Sequence, residues 1–555
     1  MKIVWSKKAV FVWIGVTIVS LLFLATSFSL IGKGWGYVSP DETANRFFID
    51  NFAKEGSFRV LESLNLKVGN ILHPRSILAS QGVLLPVSFL GLPILYGIIA
   101  SLTGGELASA LTIIFASLAT IAWYGVVRRI VSREVATISF FLLALLPAWG
   151  YYTARLLMPN VPFVSFLIFS LWFALQKTWE KAHWRIVVAG FLLGIAVSIR
   201  LSEIIWILPI IIGLFVAYHK QLSWKSVAYF FLGASIPLIV LGGIQWQTYG
   251  SFFTTGYTFH VPVTGDVLSL QRAETTSQVA ETIHLTFTQK INSWITPIFP
   301  FGIHPREIIR AVFSYGLLFW WFAIPSFLSF LWLSFYAFTK RETEEGKKFL
   351  IICGAIVIAG GWLILAYGSW SFNDNPDPNQ VTIANSYVRY WLPIFVAGTI
   401  PFAWSVRCML DRVHSNVWRG ILAGSGVMAF SLLFVWSVWF SPADGLLKMR
   451  HVLAESKETR QSVLHQVDSD AVMIVDRGDK IFFPFRRVLY PLRSEQTYLS
   501  IPLILKYTPV YYFGITFPEV DMEYLNTTKL PPLGVQIEFI ETFGIESLYR
   551  FVPKK

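Results

Sequence analysis

The stretch VLLPVSFLGLPILYGIIASL, Val83 to Leu102, decides how this chain is threaded. It is apolar enough to cross a bilayer, a task that takes about 20 residues in a helix. Pro86, Gly91, Pro93 and Gly97 interrupt it, however. Other apolar runs lie near 9–31, 107–127, 134–151, 158–176, 185–200, 202–218, 226–248, 310–338, 349–370, 388–406 and 417–440. Whether 83–102 crosses therefore sets the side on which every later loop falls.

Charge arbitrates, because Lys and Arg gather in cytoplasmic loops. If 83–102 does not cross, the N-terminus shares its side with five basic loops. These carry Arg128, Arg129 and Arg133; Lys177, Lys181 and Arg185; Lys220 and Lys225; Lys340, Arg341, Lys347 and Lys348; and Arg407, Arg412 and Arg419. The intervening short loops are nearly free of positive charge. We therefore expect 83–102 to be an interfacial or re-entrant segment on the outer side, leaving eleven spans, an inner N-terminus and an outer C-terminus.

Composition agrees with a multi-pass protein of the cytoplasmic (plasma) membrane. The 555 residues are 54% hydrophobic and 14% charged, against about 25% charged in soluble domains. The first run, Ala9 to Ile31, follows Lys2, Lys7 and Lys8 and is too long for a signal-peptide core, so it reads as a retained helix. The net charge of +12 follows the loop pattern and does not point to nucleic acid. Cys353 and Cys408 have no ligand-like spacing, so they predict neither a disulfide framework nor a metal site.

Three regions then face outward: 32–106, 249–309 and the tail after Ser441. In the tail, a helical stretch from Asp444 to Val467 precedes DAVMIVDR, VYYFGI and VQIEFI, which read as strands. The expected division is a membrane domain over 1–440, including the first outer loop, and a small soluble α/β domain over 441–555.

The first outer loop opens with GYVSPDETANRFF, Gly36 to Phe48. Ser39, Pro40 and Glu42 form a helix start with a capping box. Ala44, Phe47, Phe48 and Phe52 recur at helical spacing, and Gly56 ends the run, predicting an amphipathic helix over 40–55. Asp41 and Glu42 serve that helix start, yet they also place carboxylates at the outer surface. Further ionisable groups fall at the same level: His73 and Arg75 in ILHPRS, Arg155 and Asn160 in YYTARLLMPN, Arg200 and Glu203 in GIAVSIRLSEIIWILP, and Arg389 in SYVRYWLP. Taken singly, each has a structural explanation: turn chemistry for His-Pro-Arg, snorkelling for Arg155, mutual pairing for Arg200 and Glu203. Together they suit chemistry on a phospholipid-borne group. A carboxylate takes a proton from an attacking hydroxyl, and arginines hold a departing phosphate.

These residues resemble the GT-C superfamily of polytopic glycosyltransferases, especially its protein O-mannosyltransferase and aminoarabinose-transferase-like branch, over roughly 9–440. The family's acidic pair after the first span is similar to SPDETANRFFIDNFAKEG. Its His-Pro-Pro or Lys-Pro-Pro element resembles His73-Pro74-Arg75. Its basic loop, Arg and Asp resemble VVRRIVSRE through ARLLMPN, and its Arg-Tyr-Leu-Leu-Pro element resembles RYWLP. The resemblance implies transfer of a sugar from a polyprenyl-phosphate donor to a hydroxyl acceptor on the extracytoplasmic face. Asp41 would be the general base, supported by Glu42, with His73 and Arg75 lining the site and Arg155, Asn160, Arg200 and Arg389 at the lipid phosphate. Two positions depart from the pattern: Asn160 replaces the usual Asp, and Arg75 the second Pro. Some members use a divalent cation, and the loss of that Asp argues against one here. A transporter or flippase for a lipid-linked saccharide is the alternative, and it would place charges at the membrane midplane.

Overall fold

The computed structural model describes residues 23, 36–175, 183–220, 223–259, 298–372, 374, 377 and 380–554. They form two compact units, drawn differently from the expected division at 440/441.

One unit holds the described residues of 110–241 and 298–448. Among the described residues, seven helices are long and apolar enough to cross a membrane: Gly105–Ile130, Leu201–Tyr218, Trp224–Tyr249, Trp320–Thr339, Glu344–Gly368, Leu392–Asp411 and Asn416–Trp439. Arg133–Ala144 and Pro147–Ala154 form an eighth candidate, bent by 49°. The bend falls where Pro147 opens the second helix, since a proline ring cannot follow a continuing helical turn. Asn160–Ala174 and His183–Ile199 are apolar but shorter. Each of the ten spans expected after the first overlaps one of these elements, of which seven, or eight with the bent pair, are long and apolar enough to cross. The first, 9–31, lies outside the described residues apart from Phe23.

Two boundaries need correction. The run at 310–338 is not one helix: Pro305–Ala311 passes into a π-helical turn, and the long helix starts only at Trp320. The span expected at 388–406 starts at Leu392 instead, after a separate short helix, Ser386–Tyr390. Pro393 sits in the first turn of the longer helix, the one place that tolerates its missing N–H.

Close approach holds this unit together where lipid gives no hydrophobic drive between helices. A Cβ on Gly190 would stand 1.9 Å from the Phe230 carbonyl oxygen, and one on Gly233 would stand 2.0 Å from that of Val187. The two glycines thus let helices His183–Ile199 and Trp224–Tyr249 cross backbone to backbone. The Trp123 indole donates to both Ser139 and Thr399, at 3.0 Å each, satisfying three helices with one side chain.

The other unit gathers the described residues of 36–109, 242–259 and 449–554, which belong to the three regions expected to face outward. The segment 83–102 is not a single helix. Strands β1 (Val60–Leu61), β2 (Ile77–Ser80) and β3 (Val83–Pro86) form an antiparallel sheet of order β1-β3-β2. Helix Gly91–Thr103 follows, with 13 residues. At about 1.5 Å per residue it falls short of a hydrocarbon core of about 30 Å.

In the C-terminal part, β4 (Val472–Val475), β5 (Arg487–Leu489), β6 (Val510–Ile515), β7 (Val535–Phe543) and β8 (Glu546–Pro553) form a sheet of order β5-β4-β6-β8-β7. The three strands expected there are β4, β6 and β7; β5 and β8 went unread. Strand β4 runs parallel to both β5 and β6, and β8 pairs antiparallel with β6 and β7. Helix Leu446–Gln466 precedes the sheet, close to the bounds expected.

The core of this α/β sheet explains the change of domain boundary. Leu64, Val68 and Leu72 of the first outer loop are buried in one cluster with Val472, Ile474, Ile504, Tyr512 and Phe551. Asn65, fully buried, closes that loop by donating to the Leu72 carbonyl at 3.0 Å and accepting from its N–H at 2.9 Å. The first loop therefore completes the C-terminal core. It is not a part of the membrane domain alone.

Candidate active site

In the unit that contains the first loop, Ser39 caps helix Pro40–Glu55 in extended geometry. Its hydroxyl accepts from the Asp41 N–H at 3.2 Å, and Glu42 Oε2 accepts from the Ser39 N–H at 3.2 Å. Glu42 is 3% exposed, so its carboxylate belongs to the capping box. Asp41 is half-buried. Its Oδ1 accepts from the Ser76 hydroxyl at 2.5 Å, a short charge-assisted contact. Gly56 ends the helix in the left-handed region at φ 65°, as the C-terminal glycine predicts. Arg46, which the sequence reading passed over, anchors the helix. Its guanidinium reaches Asp50 at 2.8 Å, the Gly105 carbonyl at 3.0 Å and Ser109 at 2.9 Å.

His73 and Arg75 take up structural work. The His73 ring lies edge-on to Tyr490 with centroids 6.1 Å apart, and its Nδ1 sits 3.1 Å from the Pro74 carbonyl oxygen. Burial pushes the imidazole pKa below its ordinary value, which favours the neutral ring and donation from Nδ1–H. The Arg75 guanidinium is engaged by Asp479, at 2.5 Å from Nη2 to Oδ1, and by the Arg477 carbonyl at 3.1 Å.

The arginines of the membrane unit converge. Arg389 half-encloses Ser386, donating to its hydroxyl at 3.1 and 2.8 Å, and its Nη1 lies 3.1 Å from the Met158 sulfur. Asn160 donates from Nδ2 to the Arg389 carbonyl at 3.1 Å. Its buried Oδ1 has no hydrogen-bond partner among the described residues. The bond to a carbonyl fixes which end of the amide is nitrogen. Arg155, 5% exposed, ends helix Pro147–Ala154 beside Tyr151 and Tyr152. The Tyr152 hydroxyl donates to the Asn385 carbonyl at 2.9 Å.

Arg200 completes the group. It forks onto Glu203 Oε1 at 2.8 and 2.6 Å and reaches the Tyr367 hydroxyl at 3.2 Å. Glu203 also accepts from Tyr367 at 2.5 Å and from the Trp206 indole. The Tyr390 ring has two cations near it, Arg200 at 4.7 Å and Arg389 at 5.2 Å, and stacks on Tyr367 at 4.3 Å. The aromatic members Tyr367, Tyr390 and Tyr152 were not singled out by sequence; Tyr390 directly after Arg389 and the Tyr151-Tyr152 pair shortly before Arg155 were the available signals, and Tyr367 had none. Trp206 also lines an apolar cavity of about 190 Å³ with Trp123, Val164, Ile210, Phe230 and Val396.

Asp374 and Asp444 hold the loop that delivers Arg389, accepting from the Ser386 N–H at 2.7 Å and the Ala384 N–H at 2.6 Å. Arg155, Arg200 and Arg389 all stand at helix ends. No three His, Cys, Asp or Glu side chains converge as a metal-binding group among the described residues.

Residues 90–246 match the family described as dolichyl-phosphate-mannose-protein mannosyltransferase, so the chain is similar to that branch of the GT-C glycosyltransferases. Arg155, Asn160 and Arg200 fall inside the matched stretch. Asp41, Glu42, His73, Arg75 and Arg389 fall outside it. No curated protein matches the chain. Among solved structures, the chain is similar to ArnT from Cupriavidus metallidurans bound to undecaprenyl phosphate, at 12% identity and TM-score 0.45, covering 97% of this chain and 98% of that one. The apo state of ArnT gives 11% identity and TM-score 0.47, with 98% of each chain covered. The oligosaccharyltransferase AglB from Archaeoglobus fulgidus, in complex with an inhibitory peptide and a dolichol-phosphate, gives 13% and 0.46, covering 97% of this chain and 74% of that one. All are distant likenesses.

Proposed function

We propose that this chain is a membrane glycosyltransferase that moves a sugar from a polyprenyl-phosphate donor to a hydroxyl acceptor on the extracytoplasmic face. The observation that carries the proposal is the cluster of Arg155, Arg200 and Arg389 with Asn160 around Tyr152 and Tyr390. Four of those residues, Tyr152, Arg155, Asn160 and Arg200, lie within the stretch that matches the mannosyltransferase family. A cationic group at helix ends suits a phosphate held at the membrane surface; a transporter would call for charges at mid-depth.

In the proposed reaction, Asp41 accepts the acceptor's hydroxyl proton while that oxygen attacks the anomeric carbon. The bond from the anomeric carbon to the phosphate oxygen breaks, polyprenyl phosphate leaves, and direct displacement inverts the centre. Arg389 and Arg155 stabilise the charge gathering on the phosphate, with Arg200 fixed beside them by Glu203. Asn160 Oδ1, buried and able to accept, suits a hydroxyl of sugar or acceptor. The cavity at Trp206 suits the first isoprene units. The reaction as written balances without a cation. The N-terminus is assigned to the cytoplasm, and the C-terminal α/β part to the outside together with the first loop.

Transfer from polyprenyl-phosphate sugars by the purified protein, wild type against Asp41→Asn, tests the proposal. Donor binding is expected to persist while turnover falls by about 10²–10⁴-fold, the usual worth of a general base. Unchanged turnover would sink the assignment.

A further inference from the structure

We infer that the C-terminal α/β part is a positioning element of the reaction: Asp479 orients Asp41 through Arg75 and Ser76. The inference rests on the reading of Asp41 as the base.

Asp479 stands just past the C-terminal end of β4, the strand from which the sheet winds in parallel to both sides. That crevice is where open α/β sheets take their ligands. Here Arg75 of the first loop meets Asp479 at that end of the sheet. Fully buried, Asp479 accepts from the Arg75 backbone N–H at 2.9 Å and from its guanidinium at 2.5, 3.0 and 3.1 Å. One carboxylate thus fixes both the backbone and the side chain of Arg75.

The next residue is Ser76, held at φ 63°, a left-handed conformation that persists in a non-glycine residue only where its surroundings enforce it. That backbone turns its hydroxyl onto Asp41 Oδ1 at 2.5 Å. The short helix that begins at Asp479, with Phe483 just after it, also contacts the chain before and after Asp41. Lys480 donates to the Val38 carbonyl at 2.5 Å, and the Phe483 ring packs on Phe47 at 4.8 Å. Two holds therefore reach from residues 479–483 to the helix Pro40–Glu55 that bears the base and to the residues just before it. The first hold ends on the Asp41 carboxylate itself, and the second fixes the chain before and after it, at Val38 and Phe47.

The test is steady-state transfer by the full-length protein in nanodiscs, with Ser76→Ala, Asp479→Asn, their double variant, Asp41→Asn and Arg487→Gln. Arg487 pairs with Glu62 at 2.9 Å, an ion pair joining the same two segments with no line to Ser76. Ser76→Ala and Asp479→Asn are each expected to lower kcat about 10- to 100-fold, the scale of a misplacement of about 1 Å, with KM for both substrates unchanged. The double variant loses no more than the weaker single variant, since both act on one contact. Arg487→Gln keeps wild-type kcat.

Wild-type kcat in Asp479→Asn, losses that multiply in the double variant, or an equal loss in Arg487→Gln overturns the inference. If Asp479→Asn does not accumulate in the membrane, Arg75→Lys replaces it in the same cycle with the same expected and refuting outcomes. An active Asp41→Asn overturns the reading of the base itself. An inactive Asp41→Asn beside unperturbed Ser76→Ala and Asp479→Asn removes the positioning role alone.

Discussion

Glu203 offers the sharpest perturbation of the membrane unit. Three donors meet its Oε1, two from Arg200 and one from Tyr367, and the Trp206 indole meets Oε2. Glu203 is 2% and Arg200 7% exposed, so Glu203→Ala leaves a buried guanidinium without its carboxylate. Breaking a buried pair in this way costs about 3–5 kcal/mol. The orphaned Tyr367 and Trp206 donors act in the same direction, at about 1–3 kcal/mol each where no other acceptor is reached. These terms share one site and do not add, so about 3–5 kcal/mol is the expected loss. Unfolding titrated with SDS in mixed micelles, followed by tryptophan fluorescence, reads it. Arg200→Met/Glu203→Leu removes both charges together and should regain at least about 2 kcal/mol over the single variant, since well-packed apolar replacements for a buried pair are often neutral. A single-variant loss below about 1 kcal/mol, or a double variant less stable than the single, would refute this account of the pair. The double variant also separates two roles: if Arg200 serves the phosphate as proposed, donor affinity falls while the protein stays folded.

Leu72→Ala should destabilise the C-terminal sheet by about 2–5 kcal/mol, although the residue lies in the first loop; hydrogen exchange of β4 and β6 amides reads it, and unchanged protection would contradict the shared core. His73 gives a pH dependence. Burial depresses its folded pKa, so below the unfolded value of about 6.5 the unfolded chain binds a proton that the folded one refuses. Its contribution is full above that pH and lost as pH falls, and His73→Phe should flatten the stability profile below about pH 6.5. Arg389→Gln should weaken donor binding about 10- to 100-fold, on the scale of about 1.5–3 kcal/mol for a charged hydrogen bond, as read by titration with polyprenyl phosphate; unaltered binding would remove Arg389 from the proposed phosphate site.

Much of this protein was legible as sequence because membranes make sequence rules strict. Where backbone must satisfy itself in hydrocarbon, long apolar runs become helices. The runs at 107–127, 226–248, 349–370 and 417–440 accordingly appear as Gly105–Ile130, Trp224–Tyr249, Glu344–Gly368 and Asn416–Trp439. The start of helix Pro40–Glu55 was equally readable, since Ser39, Pro40, Glu42 and Gly56 act within a few residues of one another. Arg200 and Glu203, three residues apart, announced their own pairing.

Tertiary structure alone decided what joins across the chain. Arg75 meets Asp479 at a separation of 404 residues, and no periodicity carries that information. A His-Pro-Arg in a loop reads more often as a turn than as a site, and only the tertiary structure shows the carboxylate that its arginine meets. Leu64, Val68 and Leu72 are apolar enough to be buried anywhere, but the sheet 400 residues on supplies the surface they cover. Local sequence fixes helices because their hydrogen bonds are local. Which loop completes which core depends on burial between distant segments.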